Sequence, residues 1–325
     1  MKKPAQSVKK FLISVLKILK KQKFRFLRIA LVAFLLFLFP SPNIYFSFGN
    51  FPEKQETKAS VGLPPAPPVP VNFTGFYPQG LTAEGVIVLD VPSGITLYSK
   101  NPDSRLSPAS TTKIATALVA YDQFKLDDVL EVASVEEEGS TMGLVKGEKI
   151  TFESLLYGLL VSSANDAAIV LAENYPGGQK TFVERMNQKA RLLKLNNTHF
   201  TNPTGFDDAN HYTSAFDLAR LAQYMLKDKT LSKIVATRAI TVSDTSYTYF
   251  HDLKNVNQLL GDIPGVAGVK TGYTENAEEC VVTLVKRGDH EILTVVLRSA
   301  DRFRETGELI SWVFQNYNWS IPANP

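Results

Sequence analysis

The stretch Gly265-Val-Ala-Gly-Val-Lys-Thr-Gly-Tyr273 and the apolar runs that follow it, Cys280–Lys286 and Ile292–Leu297, decide how this chain is read. The runs are rich in β-branched residues over lengths typical of strands. Arg287-Gly-Asp-His290 separates the last two and offers turn residues. The spacing predicts three antiparallel strands, Val266–Tyr273, Cys280–Lys286 and Ile292–Leu297. Far upstream, Gly85-Val-Ile-Val-Leu89 reads as a buried strand, Val91-Pro-Ser-Gly94 as a turn and Ile95-Thr-Leu-Tyr98 as the returning strand. Between these ends the apolar residues recur with helical spacing over Ser110–Ala120, Phe152–Leu160 (after Thr151 as cap), Ala164–Glu173, Phe182–Leu193 and Ala215–Leu226. Glu305–Asn316 reads as a closing helix. Strands, then helices, then strands and a helix predict an α+β fold. Its antiparallel sheet is built from N- and C-terminal strands, with a helical region inserted between them.

The rest of the sequence frames this domain. The chain has 325 residues, 44% hydrophobic and 21% charged, enough to bury a sizeable core. Its net charge of +3 hides an asymmetry: residues 1–28 hold ten Lys/Arg and no acid. The remainder carries 25 basic against 32 acidic residues, which argues against a nucleic-acid-binding body. Cys280 is the single cysteine, so neither a disulfide framework nor a thiolate metal cage exists. Residues 29–48 carry no charge and just reach the length needed to cross a bilayer. Two readings fit that segment, a cleaved signal peptide or a single-pass anchor with its N-terminus in the cytoplasm. No small-x-small cleavage site follows the apolar run, which favours the anchor. The expected organisation is a cationic cytoplasmic tail (1–28), the anchor or signal segment (29–48), a Pro-rich linker (49–79) containing Leu63-Pro-Pro-Ala-Pro-Pro-Val-Pro70, a catalytic domain (80–318) and a short tail (319–325).

Three short patterns carry the chemistry, in order: Ser110-Thr-Thr-Lys113, Ser163-Ala-Asn165 and Lys270-Thr-Gly272. Singly they are weak, since S-x-x-K also occurs at Ser7–Lys10 and Ser14–Lys17, and S-x-N at Ser41–Asn43. Their order and placement make the signal. A Ser and a Lys three apart share a helix face, so the amine reaches the hydroxyl. The hydroxyl needs a base, and a lysine is a base only when neutral. Burial and a second cation, here Lys270, both favour the neutral amine. Taken alone, Ser110 reads equally well as a helix cap, and Ser163, Asn165 and Asp166 as caps of the next helix. Ser163 can relay a proton, and Asn165 can bind substrate or orient Lys113. Lys270 and Thr271 offer a cation and a hydroxyl to a carboxylate. Gly272 leaves room along the strand edge, and Tyr273 offers its backbone N–H to an oxyanion together with that of Ser110. His199, His211, His251 and His290 show no metal spacing, and His211 reads as a loop holder. Arg298, Arg302 and Arg304 could reach a substrate carboxylate, but ordinary surface ion pairs are the favoured reading.

The three patterns resemble the active-site motifs of the penicillin-recognising serine acyl-transferases. Leu160-Val-Ser-Ser-Ala-Asn-Asp-Ala-Ala168, Asn202-Pro-Thr-Gly-Phe206, His211-Tyr-Thr-Ser214 with Asp217-Leu-Ala219, and Gly268-Val-Lys-Thr-Gly-Tyr-Thr274 narrow the resemblance to the low-molecular-mass D-alanyl-D-alanine carboxypeptidases, over about residues 80–318. The resemblance implies a β-lactamase/transpeptidase-like fold. It also implies Ser110 as nucleophile, Lys113 as its base, Ser163 and Asn165 as assistants, and Lys270, Thr271 and Gly272 as the carboxylate-binding edge. The implied reaction removes the terminal D-Ala of a peptidoglycan stem peptide outside the cytoplasmic membrane. β-Lactams are the implied covalent inhibitors, with no metal or organic cofactor. One departure stands out: relatives often have Ala-Gly-x-Cys after the Lys-Thr-Gly strand, where this chain has Ala277-Glu-Glu-Cys280. Two rival readings remain, a class A-like β-lactamase and a catalytically silent muropeptide-binding scaffold. No Glu-x-x-Leu-Asn string supports the first, and intact motifs speak against the second.

Overall fold

The computed structural model describes residues 68–135 and 138–320, with Phe34 alone ahead of them. The expected cationic tail, the anchor or signal segment and most of the linker lie outside the described residues. Among the described residues no helix is long and apolar enough to cross a membrane.

In chain order the strands are β1 (Val69–Asn72), β2 (Gly85–Asp90), β3 (Thr96–Lys100), β4 (Val129–Glu131), β5 (Lys149–Thr151), β6 (Ala239–Ser243), β7 (Phe250–Lys254), β8 (Val266–Thr274), β9 (Glu278–Arg287), β10 (His290–Ser299) and β11 (Tyr317–Ser320). The helices are α1 (Lys113–Gln123), α2 (Phe152–Leu160), α3 (Asn165–Glu173), α4 (Gly178–Leu192), α5 (Ala215–Leu226), α6 (Lys229–Val235) and α7 (Arg302–Asn316). The main sheet has the order β3-β2-β10-β9-β8, antiparallel throughout. β2 and β3 thus join β8, β9 and β10, as the sequence pattern predicts.

Alternation along the strands explains why the sheet is a middle layer. Ile87, Leu89, Val282, Leu284, Leu293 and Val295 face the helical region and share one core with Ile114, Leu118, Leu155, Leu159, Leu218 and Leu221. Their neighbours Val86, Val88, Val281, Val285, Ile292 and Val296 face the other way, onto Leu309, Ile310, Trp312 and Val313 of α7. A strand buried on both faces reads as a continuous apolar run, which is what β2, β9 and β10 show. Helix starts follow local chemistry: Thr151 accepts from Ser154 N–H, Ser214 from Asp217 N–H, Asp228 from Thr230 and Leu231, and Asp301 from Arg304.

Three differences from the sequence reading have physical causes. Val69–Asn72, inside the expected linker, pairs antiparallel with Tyr317–Ser320, which runs into the expected tail. Four-residue strands carry too short a pattern to be recognised locally; their partner lies some 250 residues away in sequence. The same holds for the hairpins β4–β5 and β6–β7. The helix expected from Ser110 begins as a 3-10 turn over Ala109–Thr112, and the α-helical part starts only at Lys113.

Candidate active site

The nucleophile turn is shaped by contacts rather than by a cap. Ala109 has φ 48°, and no side chain caps the turn, so Ser110 is not a helix cap. Its Oγ lies 2.8 Å from Lys113 Nζ. Lys113 is fully buried, and its Nζ also meets Asn165 Oδ1 at 2.6 Å and the carbonyl oxygen of Thr204 at 2.9 Å. The latter two oxygens only accept. When the ammonium loses a proton, its two remaining hydrogens stay with Asn165 and Thr204, and the lone pair faces the Ser110 hydroxyl. The amine then accepts the Ser110 proton, the geometry general-base activation requires.

Burial drives that deprotonation. It pulls the Lys113 pKa down to about 7 against the opposing pull of the Asp166 carboxylate. Lys270 is also fully buried; its Nζ donates to Ser163 Oγ (2.8 Å) and to the carbonyl of Thr271 (3.0 Å). Burial, then the charges of Lys113 and Arg302, hold its pKa well below the usual lysine value. The sequence reading gave Lys270 the task of depressing Lys113. In the structure burial is the main cause at Lys113, and the mutual repulsion weighs on Lys270.

Neither Ser163 nor Asn165 acts as a side-chain cap of α3. Ser163 is held at φ 62°, a left-handed backbone that costs a non-glycine residue about 1–2 kcal/mol. That turn aims its hydroxyl at Lys270 while the first residue of the helix, Asn165, reaches Lys113. Asn165 Nδ2 donates to the carbonyl of Glu138 (2.8 Å), and its backbone N–H to that of Ser140 (2.7 Å). Asp166 accepts from the backbone N–H groups of Met142, Gly143 and Leu144. Behind the same loop, His251 on β7 bridges Glu148 (2.7 Å) and the carbonyl of Met142 (2.9 Å). The 138–148 wall of the site is thus fastened at both ends.

The β8 edge forms the opposite wall. A Cβ on Gly272 would lie 2.8 Å from the Ser110 nitrogen and 2.9 Å from Ala109 Cβ, so only glycine lets the strand approach the nucleophile. Gly205, at φ 92°, fits equally tightly against Ala109; a Cβ there would meet the Ala109 carbonyl oxygen at 2.0 Å. Asn202 organises that loop by accepting from Thr204, Gly205 and Phe206 N–H. His211 is a loop holder, as expected, and does more. Its Nδ1 accepts from Thr201 N–H, so Nε2 carries the hydrogen and donates to Thr112 Oγ1 at 2.8 Å. Burial holds its pKa down at about 4, which keeps the ring neutral.

Between these walls lies a cleft of about 400 Å³ that brings together Ser110, Ser163, Asn165, Thr271, Gly272 and Tyr273. Lys113 and Lys270 sit just beneath it. The cleft also receives Thr204, Phe206, Ser140 and Arg302, which the motif reading did not place there. Arg298 pairs with Glu84, and Arg304 with Glu308 and Asp301, as surface ion pairs. Arg302 departs from that expectation. It donates to the Gly272 carbonyl at 2.6 Å, and its buried Nε has no partner. Its position at the start of α7, after an Asp301 cap, is the one signal the sequence offered. In the stretch Ala277-Glu-Glu-Cys280, Glu278 takes a left-handed φ of 50°, a backbone conformation that favours glycine.

This constellation on this sheet defines the penicillin-binding DD-peptidase fold, relative of the β-lactamases. The profile described as D-alanyl-D-alanine carboxypeptidase, peptidase family S11, matches residues 74–301. The carboxypeptidase DacF of Bacillus subtilis is 35% identical over 245 residues, which cover 72% of this chain and 63% of DacF. A D-alanyl-D-alanine endopeptidase of Pseudomonas aeruginosa is 32% identical, covering 82% of this chain and 86% of that protein. The crystal structure of the Streptomyces K15 DD-transpeptidase superposes with a TM-score of 0.70 at 32% identity, covering 74% of this chain and all of that one. The chain belongs to the D-alanyl-D-alanine carboxypeptidase family, a family of serine peptidases.

Proposed function

We propose that this protein is a serine-type D-Ala-D-Ala carboxypeptidase that shortens peptidoglycan stem peptides through an acyl-enzyme on Ser110. The observation that carries this is the buried amine of Lys113, held by two acceptor-only oxygens with its third position on Ser110 Oγ. The terminal carboxylate of the substrate docks against Thr271, Lys270 and Arg302. Its negative charge restores the proton to Lys270 and leaves Lys113 as the neutral partner. Lys113 then takes the Ser110 proton while Oγ attacks the carbonyl carbon of the penultimate D-Ala. The oxyanion settles on the backbone N–H groups of Ser110 and Tyr273. The C–N bond breaks, and the proton passes across Ser163 to the leaving D-Ala amine. Water, activated by the same lysine, cleaves the ester and regenerates Ser110. A β-lactam acylates the same oxygen by the same route.

No carboxylate side chain lines the cleft among the described residues, which speaks against a β-lactamase with an acidic deacylating base. Residues 29–48 serve as a single-pass anchor with the catalytic domain on the extracytoplasmic side. Ten Lys/Arg before that segment support this orientation. The test is release of D-Ala from a pentapeptide stem by the wild type and by Ser110→Ala, together with labelling by fluorescent penicillin. Release and a long-lived adduct in the wild type alone are expected. Rapid turnover of penicillin sinks the carboxypeptidase reading in favour of the β-lactamase. Neither label nor release makes the protein a silent scaffold. For the anchor, retention in the membrane after alkaline carbonate extraction is expected; release into the supernatant sinks it.

A further inference from the structure

Far from the cleft, four apolar side chains stand out beside β1. Val71, Phe73, Phe76 and Tyr77 are 48%, 57%, 58% and 48% exposed. Their backbone is fastened. Asn72 Oδ1 accepts from the N–H groups of Thr74 and Gly75, and Thr74 Oγ1 donates to Asn316 Oδ1 at 2.5 Å. Trp312 Nε1 donates to the Phe76 carbonyl at 2.9 Å, and the Tyr77 ring lies 6.0 Å from the Trp312 ring. The rings are therefore held toward solvent by structure, not exposed by fraying. Large apolar side chains exposed together within seven residues mark a contact site.

We infer that this patch rests on the headgroup layer of a lipid bilayer. The inference builds on the anchor reading of residues 29–48. Three observations favour a lipid surface. First, the 25 residues from Ala59 through Ala83 contain no Asp, Glu, Lys, Arg or His. An uncharged segment with projecting Phe and Tyr suits the zone where aromatic side chains collect at membrane boundaries, and Arg304 and Glu308 line the hollow beside Phe76. Second, β1 is where the chain arriving from the apolar segment joins the sheet system. The 20 residues between the apolar segment and β1 can span at most about 70 Å even when fully extended, which confines the domain to the neighbourhood of the bilayer. Third, α7 carries Arg302 in the cleft at one end and Trp312 and Asn316 against the patch at the other. That separation is about 20 Å along the helix, so a domain resting on the patch keeps its cleft clear of the lipid.

The sequence contains two tryptophans, Trp312 and Trp319, and Trp312 touches the patch. This supplies a native probe. The full-length protein is reconstituted into phosphatidylcholine–phosphatidylglycerol vesicles with and without a headgroup spin label. Tryptophan emission is read in the wild type and in Phe73→Ser/Phe76→Ser, with penicillin acylation as the control for folding. Quenching in the wild type is expected, falling by about half or more in the variant with acylation unchanged. A protein that fails to float with the vesicles overturns the anchor reading and this inference with it. A protein that floats but shows no quenching, or equal quenching in the variant, overturns the inference alone. A variant that changes only the oligomeric state in detergent assigns the patch to contact between copies and also overturns it.

Discussion

Among the charged groups that the protein buries, those at the cleft and one on the far face of the sheet are handled in opposite ways. At the cleft, Lys113 and Lys270 are fully buried, and their hydrogen-bond partners are neutral oxygens of Ser110, Asn165, Thr204, Ser163 and Thr271. Burial wins there, and both pKa values fall. On the other face of the sheet, Glu305 of α7 is also buried. Its carboxylate accepts from Thr82 N–H and Oγ1, from Ala83 N–H and from Ser299 Oγ. Burial opposes its ionisation, but those donors outweigh burial and hold its pKa below the usual value. The carboxylate ties the chain before β2 to the end of β10 and the start of α7. A buried charge supplied with complementary donors is a structural fastener; one left with neutral partners has its proton loosened and becomes reactive.

The largest effect that tests this contrast is Lys113→Met. Acylation by penicillin is expected to fall by about 10²–10⁴-fold, the usual worth of a general base, while the fold survives. Loss of folding instead would place Lys113 with the fasteners; stopped-flow acylation and thermal melts decide. Next is Glu305→Ala. It leaves three sets of donors without an acceptor and should cost about 3 kcal/mol of stability by urea titration, with acylation per folded molecule retained. A loss of acylation at unchanged stability would erase the distinction.

The pH dependence separates the two sites by sign. Lys113 is an active base only when neutral, so acylation should fall about tenfold for each pH unit below about 7. The lysine pKa is depressed in the folded state, so the folded protein binds fewer protons and this penalty on stability shrinks as pH rises from about 7 toward 10.5. For Glu305 the folded pKa is also depressed, but an acid behaves oppositely. Its contribution is present above the ordinary glutamate value of 4.5 and is lost as pH falls through the folded value. Lys113→Met should flatten the alkaline slope and Glu305→Gln the acidic one, read from stability against pH. The smallest effect concerns the hairpin next to both sites, where Glu279 accepts from Arg302 N–H at the start of α7. Glu278→Gly should relieve the left-handed strain and add about 1 kcal/mol, seen as a higher Tm with acylation unaltered.

Much of this was legible locally. Thr151, α2 and α5 lie where the apolar spacing and caps put them, because each signal is contained within one element. The strands β2, β9 and β10 were legible because both faces are buried and their sequences are largely apolar. The pair β1–β11 was not, since neither four-residue strand has a pattern of its own. For Arg302 a surface ion pair was favoured over a reach toward the substrate carboxylate, because nothing near it in sequence says which way the start of α7 points. The carbonyl of Thr204 was invisible for a more basic reason: every residue has one, and only its position beside Lys113 gives it a role.

The sequence by itself determined the α+β class with strands at both ends and helices between, the three motifs and the types of group they bring. Those depend on periodicity and on residue chemistry, both local. The tertiary structure decided which partners the buried groups meet. It set Ser163 on Lys270, Asn165 and Thr204 on Lys113, and Arg302 beside Gly272. It also decided which buried charges lack compensation. Desolvation is set by everything folded around a group, and chains distant in sequence contribute most of that surrounding.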